Sequence, residues 1–162
     1  MIDSHAHLYM CNDSLKNLID SAKKAGVSHI VNVAINLETA AQVLEDSRQH
    51  PELIPTIGLY PGEPYSESML TTLKSDAKQH PYKAIGEIGL DYFKMNASKS
   101  EQLALFEAQL SIADELNLPV IIHNRHSEDD VAAVVANFPH VKKVFHCYWF
   151  LLKDISIYII VL

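Results

Sequence analysis

Short apolar runs of strand length alternate with segments of helical spacing along most of the chain. The runs are Ile2–Leu8, His29–Ile35, Leu53–Leu59, Ala84–Leu90, Pro119–Asn124 and Lys143–Tyr148. Most are apolar without clean alternation, the pattern of parallel strands covered on both faces. Between them, Leu15, Leu18, Ile19 and Ala22 mark a first helix closed by Gly26. Ala40, Val43, Leu44 and Ser47 mark a second, ended by Pro51, and Met69, Leu70, Leu73 and Ala77 a third, ended by Pro81. Ser98-Lys99-Ser100-Glu101 is a capping box opening a fourth, with Leu103, Phe106, Leu110 and Ala113 on one stripe. Ser127-Glu128-Asp129-Asp130 is expected to open a fifth in the same way, with Val131, Val134, Val135 and Phe138 inward. Strand and helix therefore repeat as β-α units, which predicts an α/β fold on a parallel sheet.

The strand ends carry the chemistry. His5 and His7 close the first run, Glu87 lies in Ile85-Gly86-Glu87-Ile88-Gly89, and His123 and His146 close the fifth and sixth. A lone strand histidine is more often a core or surface residue than a ligand. Here, however, the positions agree, because barrels of β-α units build their sites at the carboxyl ends of several strands. Side chains two apart on a strand share a face, so His5 and His7 can grip one ion. Imidazoles mixed with a carboxylate suit zinc, manganese or a neighbouring metal and are too rich in nitrogen for a calcium cage. A carboxylate has two oxygens and can bridge two ions, which makes Glu87 the candidate bridge. Its rival reading is an ion pair with a nearby Lys or Arg, but its apolar and small neighbours would make burial costly without cations. The flanking glycines suit a close backbone approach. Asp91 fits equally an acceptor behind a ligand histidine and a loop cap. Arg125, two residues past His123, could clamp a phosphate or form a surface ion pair. Cys147 reads as a packed thiol turned away from the site. His29, His50, His80, His126 and His140 fall at helix ends, strand starts or loops and are read as ordinary surface or packing residues.

Composition narrows the classes. The chain has 162 residues, room for one domain with a real core, and a formal net charge of -7. No general basic surface attracts a nucleic-acid backbone, so cations in the site must carry that work for a polyanionic substrate. Two cysteines make no disulfide framework, and an apolar strand directly after Met1 leaves no room for a signal peptide, so a cytoplasmic location is expected. The last fifteen residues, 148–162, include a nearly unbroken apolar run, Ile155–Leu162. They are too short for a membrane span of roughly 20 residues.

The motifs His5-Ala6-His7, Gly86-Glu87-Ile88-Gly89-Leu90-Asp91-Tyr92, Pro119-Val120-Ile121-Ile122-His123-Asn124-Arg125 and Phe145-His146-Cys147, in this order, resemble the TatD family of metal-dependent deoxyribonucleases, within the amidohydrolase-like barrels. The resemblance runs from residue 2 to about 148 and takes in Gln102, Phe106 and Gln109-Leu110. It implies a (β/α)8 barrel, two divalent ions (zinc, manganese or magnesium), and hydrolysis of phosphodiesters in DNA, with no membrane and no stable protein partner. His5, His7 and Glu87 would hold the first ion, and Glu87, His123 and His146 the second.

The chain departs from that pattern in two places. Relatives often carry Gly-x-His-Pro after strand three, where this chain has Gly58-Leu59-Tyr60-Pro61. The similarity also stops near Cys147, whereas the family continues through strands seven and eight and draws an aspartate from there as ligand and base. A closed barrel typically needs ~250 residues. The expected architecture is therefore a partial (β/α)8 barrel of about six strands and five helices over residues 1–148, followed by an aberrant apolar tail at 149–162. Hydrolysis by this chain alone is expected to be impaired. Two further readings stand beside it: a metallohydrolase of another ester, lactone or amide on the same scaffold, and a non-enzymatic fragment that needs a separate C-terminal piece.

Overall fold

A computed structural model describes residues 1–93 and 95–146. Cys147, the expected boundary near residue 148 and the Ile155–Leu162 run lie outside the described residues. The strands are β1 (Ile2–Ala6), β2 (His29–Asn32), β3 (Leu53–Ile57), β4 (Ala84–Asp91), β5 (Val120–Arg125) and β6 (Lys143–His146). The helices between them are α1 (Leu15–Lys24), α2 (Leu37–Gln49), α3 (Glu67–Gln79), α4 (Lys99–Leu116) and α5 (Glu128–Ala136). All neighbouring strands pair in parallel, in the order β1-β2-β3-β4-β5-β6. The sheet curls far enough for its first and last strands to meet at one end: the rings of His5 and His146 stack with centroids 3.6 Å apart. The described residues form an incomplete barrel of six strands and five helices, as the sequence pattern and the resemblance lead one to expect.

The helices bury the stripes read from their spacing. Phe106, Leu110 and Ala113 of α4 pack with Leu70, Leu73 and Ala77 of α3 and with Ile85, Ile88 and Leu90 of β4. On the opposite face of the sheet, Val31, Val33, Ala84 and Ile121 form a second buried layer with Ile54 against it. Ile121 lies two residues before His123 and so shares its face, which places this layer beneath the strand ends that carry the histidines.

The expected start of α5 differs in one respect. Ser127 is its N-cap, but the side chain makes no cap hydrogen bond. Its hydroxyl is used elsewhere, on the buried Leu90 carbonyl at 3.0 Å and Asn124 Oδ1 at 2.8 Å. Asp130 is likewise occupied, accepting from the Tyr92 hydroxyl. A buried carbonyl without a partner costs more than an open helix end bathed in water. By contrast, the Ser98–Glu101 box forms as read.

Two glutamines buried on α4 fasten the strand ends to the helix layer. Gln102 accepts from Asp91 N at 2.8 Å and donates to Asp91 O at 3.0 Å and Ala97 O at 3.3 Å. Two turns later, Gln109 accepts from Leu59 N at 2.7 Å and donates to Leu59 O at 3.0 Å. Each amide pairs with the backbone as another strand would, at the point where the ladder gives out. Gln102→Leu should therefore destabilise the fold by about 2–6 kcal/mol, since two buried backbone groups of Asp91 each lose their bond to the amide at roughly 1–3 kcal/mol. Urea denaturation reads this as a lower midpoint at unchanged slope. A change below about 0.5 kcal/mol would mean that water replaces the amide.

Candidate metal centre

The residues singled out at the strand ends converge. His5 is the penultimate residue of β1 and His7 follows the strand, Glu87 lies in the middle of β4 rather than at its end, and His123 and His146 stand opposite each other in the register of β5 and β6. Parallel pairing explains the convergence, because every strand ends on the same side. His5, His7 and Glu87 form one group whose ligand atoms lie within 4.8 Å of one another, and Glu87, His123 and His146 form a second. His29, His50, His80, His126 and His140 belong to neither group.

Strand irregularities aim these side chains. β4 has one extra residue against β5 between Ile85 and Ile88, a bulge that contains Glu87. Three glycines make room for it. A Cβ on Gly58 would stand 2.7 Å from the Gly86 carbonyl carbon, and one on Gly86 would stand 2.7 Å from Ile121 Cβ. Gly89, at φ +136°, brings its backbone against that of His123. β1 is irregular too, between Asp3 and Ala6, so His7 leaves the strand and caps a short 3-10 turn, Leu8–Met10.

In the first group, His5 Nε2 and His7 Nε2 face each other at 3.1 Å, and Glu87 Oε2 is 3.6 and 3.4 Å from them. His7 Nδ1 lies 2.7 Å from the Val33 carbonyl, which can only accept, so Nδ1 carries the hydrogen and neutral His7 offers its lone pair at Nε2. His5 Nδ1 is buried with no hydrogen-bond partner among the described residues. Two ring nitrogens and a carboxylate oxygen pointed at one another suit a shared cation. Ligands at ~2.0–2.2 Å from a tetrahedral ion stand roughly 3.3–3.6 Å apart. The two spacings to Glu87, 3.6 and 3.4 Å, fall on that edge, and the 3.1 Å between the two imidazoles is slightly shorter.

In the second group, Glu87 turns its other oxygen, Oε1, to His123 Nδ1 at 2.8 Å. His123 Nε2 lies 3.2 Å from Asp91 Oδ2, which also accepts from the Tyr60 hydroxyl at 2.7 Å. The other oxygen of Asp91 accepts from Phe93 N at 2.9 Å. Asp91 thus divides its two oxygens: Oδ2 lies against the His123 ring and Oδ1 caps the loop.

Ionisation follows from these neighbours. Burial works to raise the Glu87 carboxyl, but hydrogen bonds with His123, His5 and His7 outweigh it and hold the group well below the usual carboxylate range. Burial, reinforced by repulsion from His5, pushes His146 down to about 4, so it is neutral near pH 7 with a lone pair to offer. Burial also lowers His7, but its hydrogen bonds to Glu87 and Val33 and the Glu87 charge together raise it. Tyr60 is pushed up by burial and by its bond to Asp91, which keeps the hydroxyl protonated.

Two contacts were not legible in the chain. Tyr9 donates to the same Val33 carbonyl that holds His7, and Tyr60 ties Asp91 to His123. Their placement after β1 and β3, at the same end as the ligands, was the available signal. Beside the centre opens a cavity of about 690 Å³, whose lining includes His7, Tyr60, Glu87, His123 and His146 together with apolar residues such as Ile35, Leu59 and Met69. Arg125 does not line it. Its guanidinium lies 3.8 Å above the Phe93 ring.

Comparison with known proteins agrees with this architecture. The family model described as TatD related DNase matches residues 2–154. The chain is 31% identical over 154 residues to YabD of Bacillus subtilis (strain 168), described as a metal-dependent hydrolase, covering 91% of this chain and 60% of that protein. It is 33% identical to the 3'-5' ssDNA/RNA exonuclease TatD of Erwinia tasmaniensis, covering 81% of this chain and 52% of that protein. The crystal structure of YjjV, a TatD homologue from Escherichia coli K12, superposes with a TM-score of 0.85 at 30% identity, covering 93% of this chain and 61% of that chain. The chain thus spans between half and three fifths of the length of these relatives. Among the described residues, no helix is long and apolar enough to cross a membrane.

Proposed function

We propose, from the premise that this chain belongs to the TatD-related DNase family, that its strand-end cluster is the two-ion centre of a phosphodiester hydrolase acting on single-stranded DNA. The carrying observation is Glu87, with one carboxylate oxygen toward His5 and His7 and the other toward His123. His5, His7 and Glu87 would hold one divalent ion, and Glu87, His123 and His146 the other. When bound, such ions polarise a phosphoryl oxygen and make a water more acidic.

The chain's own residues do the positioning. The Val33 carbonyl and Tyr9 fix the His7 ring, while Asp91 and Tyr60 fix His123. The cavity has room for about one nucleotide, and its apolar wall suits a base and sugar while the ligand side faces the phosphate. With a net charge of -7, the attraction for a polyanion has to come from cations held in the cluster rather than from the surface at large.

Among the described residues, the carboxylates that face the rings of these histidines are Glu87 and Asp91, and both are engaged there, which supports impaired proton transfer from water. Turnover is therefore expected to fall about 10²–10⁴-fold below that of a full-length relative, the usual effect of lacking a proton acceptor. The test is hydrolysis of a single-stranded oligonucleotide and of a generic phosphodiester by purified monomer, with added magnesium, manganese or zinc and with chelator. Slow, chelator-sensitive cleavage of both substrates is expected. Turnover of esters, lactones or amides with no phosphodiester cleavage would overturn the proposal, and full relative-like rates would overturn the missing acceptor.

A further inference from the structure

Outside the cavity, the rim of the barrel carries a large side chain with no packing reason to be there. Phe93 follows β4 in the loop above the centre and is 58% exposed. The guanidinium of Arg125 lies 3.8 Å from its ring centroid, and the His126 ring stands nearly perpendicular to it at 5.7 Å and 84°. We propose that Phe93, backed by Arg125 and His126, is a stacking platform for an unpaired nucleobase next to the metal centre. The proposal rests on the phosphodiester reading above and names a second subsite for its substrate.

The platform is tied to the centre through one carboxylate. Asp91 accepts from Phe93 N through Oδ1 and contacts His123 and the Tyr60 hydroxyl through Oδ2. Across the β4–β5 ladder Asp91 pairs with Arg125, while Gly89 pairs with His123. Phe93, in the loop just after β4, and Arg125, at the end of the adjacent β5, therefore each lie two residues beyond a member of the site. His126 adopts φ +58°, a left-handed conformation uncommon for a non-glycine residue, as the chain turns at this rim.

Chemistry selects the occupant. An exposed aromatic ring stacks on any base, since every base has a π-face, and arginine adds both a planar cation for that stack and a donor for the adjoining phosphate. An acidic chain cannot hold a single strand by a broad basic groove, so discrete contacts of this kind have to supply the affinity. A neighbouring nucleotide on the platform would also fix the strand with its next phosphate toward the cavity. Phe93 and Arg125 do not line that cavity, so the two subsites are distinct.

The experiment is fluorescence anisotropy of labelled oligo(dT), and of an abasic strand of equal length, titrated with the 162-residue chain and its Phe93→Ala and Phe93→Trp variants. Because the side chain is exposed, both variants should melt as the parent does. Phe93→Ala should weaken oligo(dT) binding by about tenfold, within the range for loss of one base–aromatic stack, whereas Phe93→Trp should retain it. The abasic strand should bind the parent more weakly and be indifferent to Phe93→Ala. Equal oligo(dT) affinity for parent and Phe93→Ala, or an equal loss on the abasic strand, would remove the platform and leave the hydrolase reading standing. A parent that binds neither strand would sink the nucleic-acid reading itself.

Discussion

Glu87→Ala is expected to abolish tight binding of both ions, whereas His146→Ala should weaken mainly one. The asymmetry follows from geometry. Each oxygen of Glu87 faces a different histidine group, and it is the residue common to both sets. Its removal leaves two and two imidazoles in place of two three-ligand sets, with no negative charge between them. Loss of an anionic ligand is costly in affinity because it supplies both a coordination bond and charge neutralisation in a buried site. Metal content of dialysed protein, measured beside circular dichroism to confirm folding, reads the result. Two tightly held ions in Glu87→Ala would remove the bridging role. One tightly held ion would assign the carboxylate to a single group.

Gly89→Ala is expected to be the most damaging small substitution in the motif, destabilising by on the order of 4 kcal/mol or more. A Cβ built there would lie 2.1 Å from the His123 carbonyl oxygen and 3.0 Å from its carbonyl carbon and nitrogen. These are backbone atoms of the paired strand, not the tip of a flexible side chain, and cannot step aside. The residue also sits at φ +136°, a conformation that a side chain disfavours. Relief requires β4 and β5 to part at the point where His123 meets Glu87 and Asp91. The variant should thus lose both thermal stability and metal affinity, measured by melting and by metal titration. Near-parental values for both would show that the ladder can shift at little cost, and that the close approach is not what holds His123 in place.

Much of the fold was legible in the chain because it depends on local pattern. Apolar runs without alternation marked strands covered on both faces, and the capping box at Ser98 marked the start of α4 correctly. Ser127 marks the start of α5 but not its bonding, since the hydroxyl goes to Leu90, 37 residues away, and to the neighbouring Asn124 rather than to the helix. Pattern reading also gave α4 an apolar stripe, whereas its buried face includes Gln102 and Gln109. Their polarity makes sense only once the backbone groups of Asp91 and Leu59 that they bond are seen beside them.

The convergence of His5, His7, Glu87, His123 and His146 could be read from the sequence because parallel strands joined by right-handed crossovers all run to one side, so residues toward the strand ends gather there. Residue type then specified the chemistry of the cluster: imidazoles with one carboxylate. What only the tertiary structure decided was orientation. The bulge in β4 aims Glu87, the Val33 carbonyl fixes the tautomer of His7, and Asp91 divides its oxygens between His123 and a loop. It also placed Arg125 against Phe93 rather than in the cavity. Composition and spacing determine which side chains reach a region. Which atom of each faces which is set by bulges, by close backbone approaches and by hydrogen-bond partners tens of residues away, and none of these leaves a periodic signal in the chain.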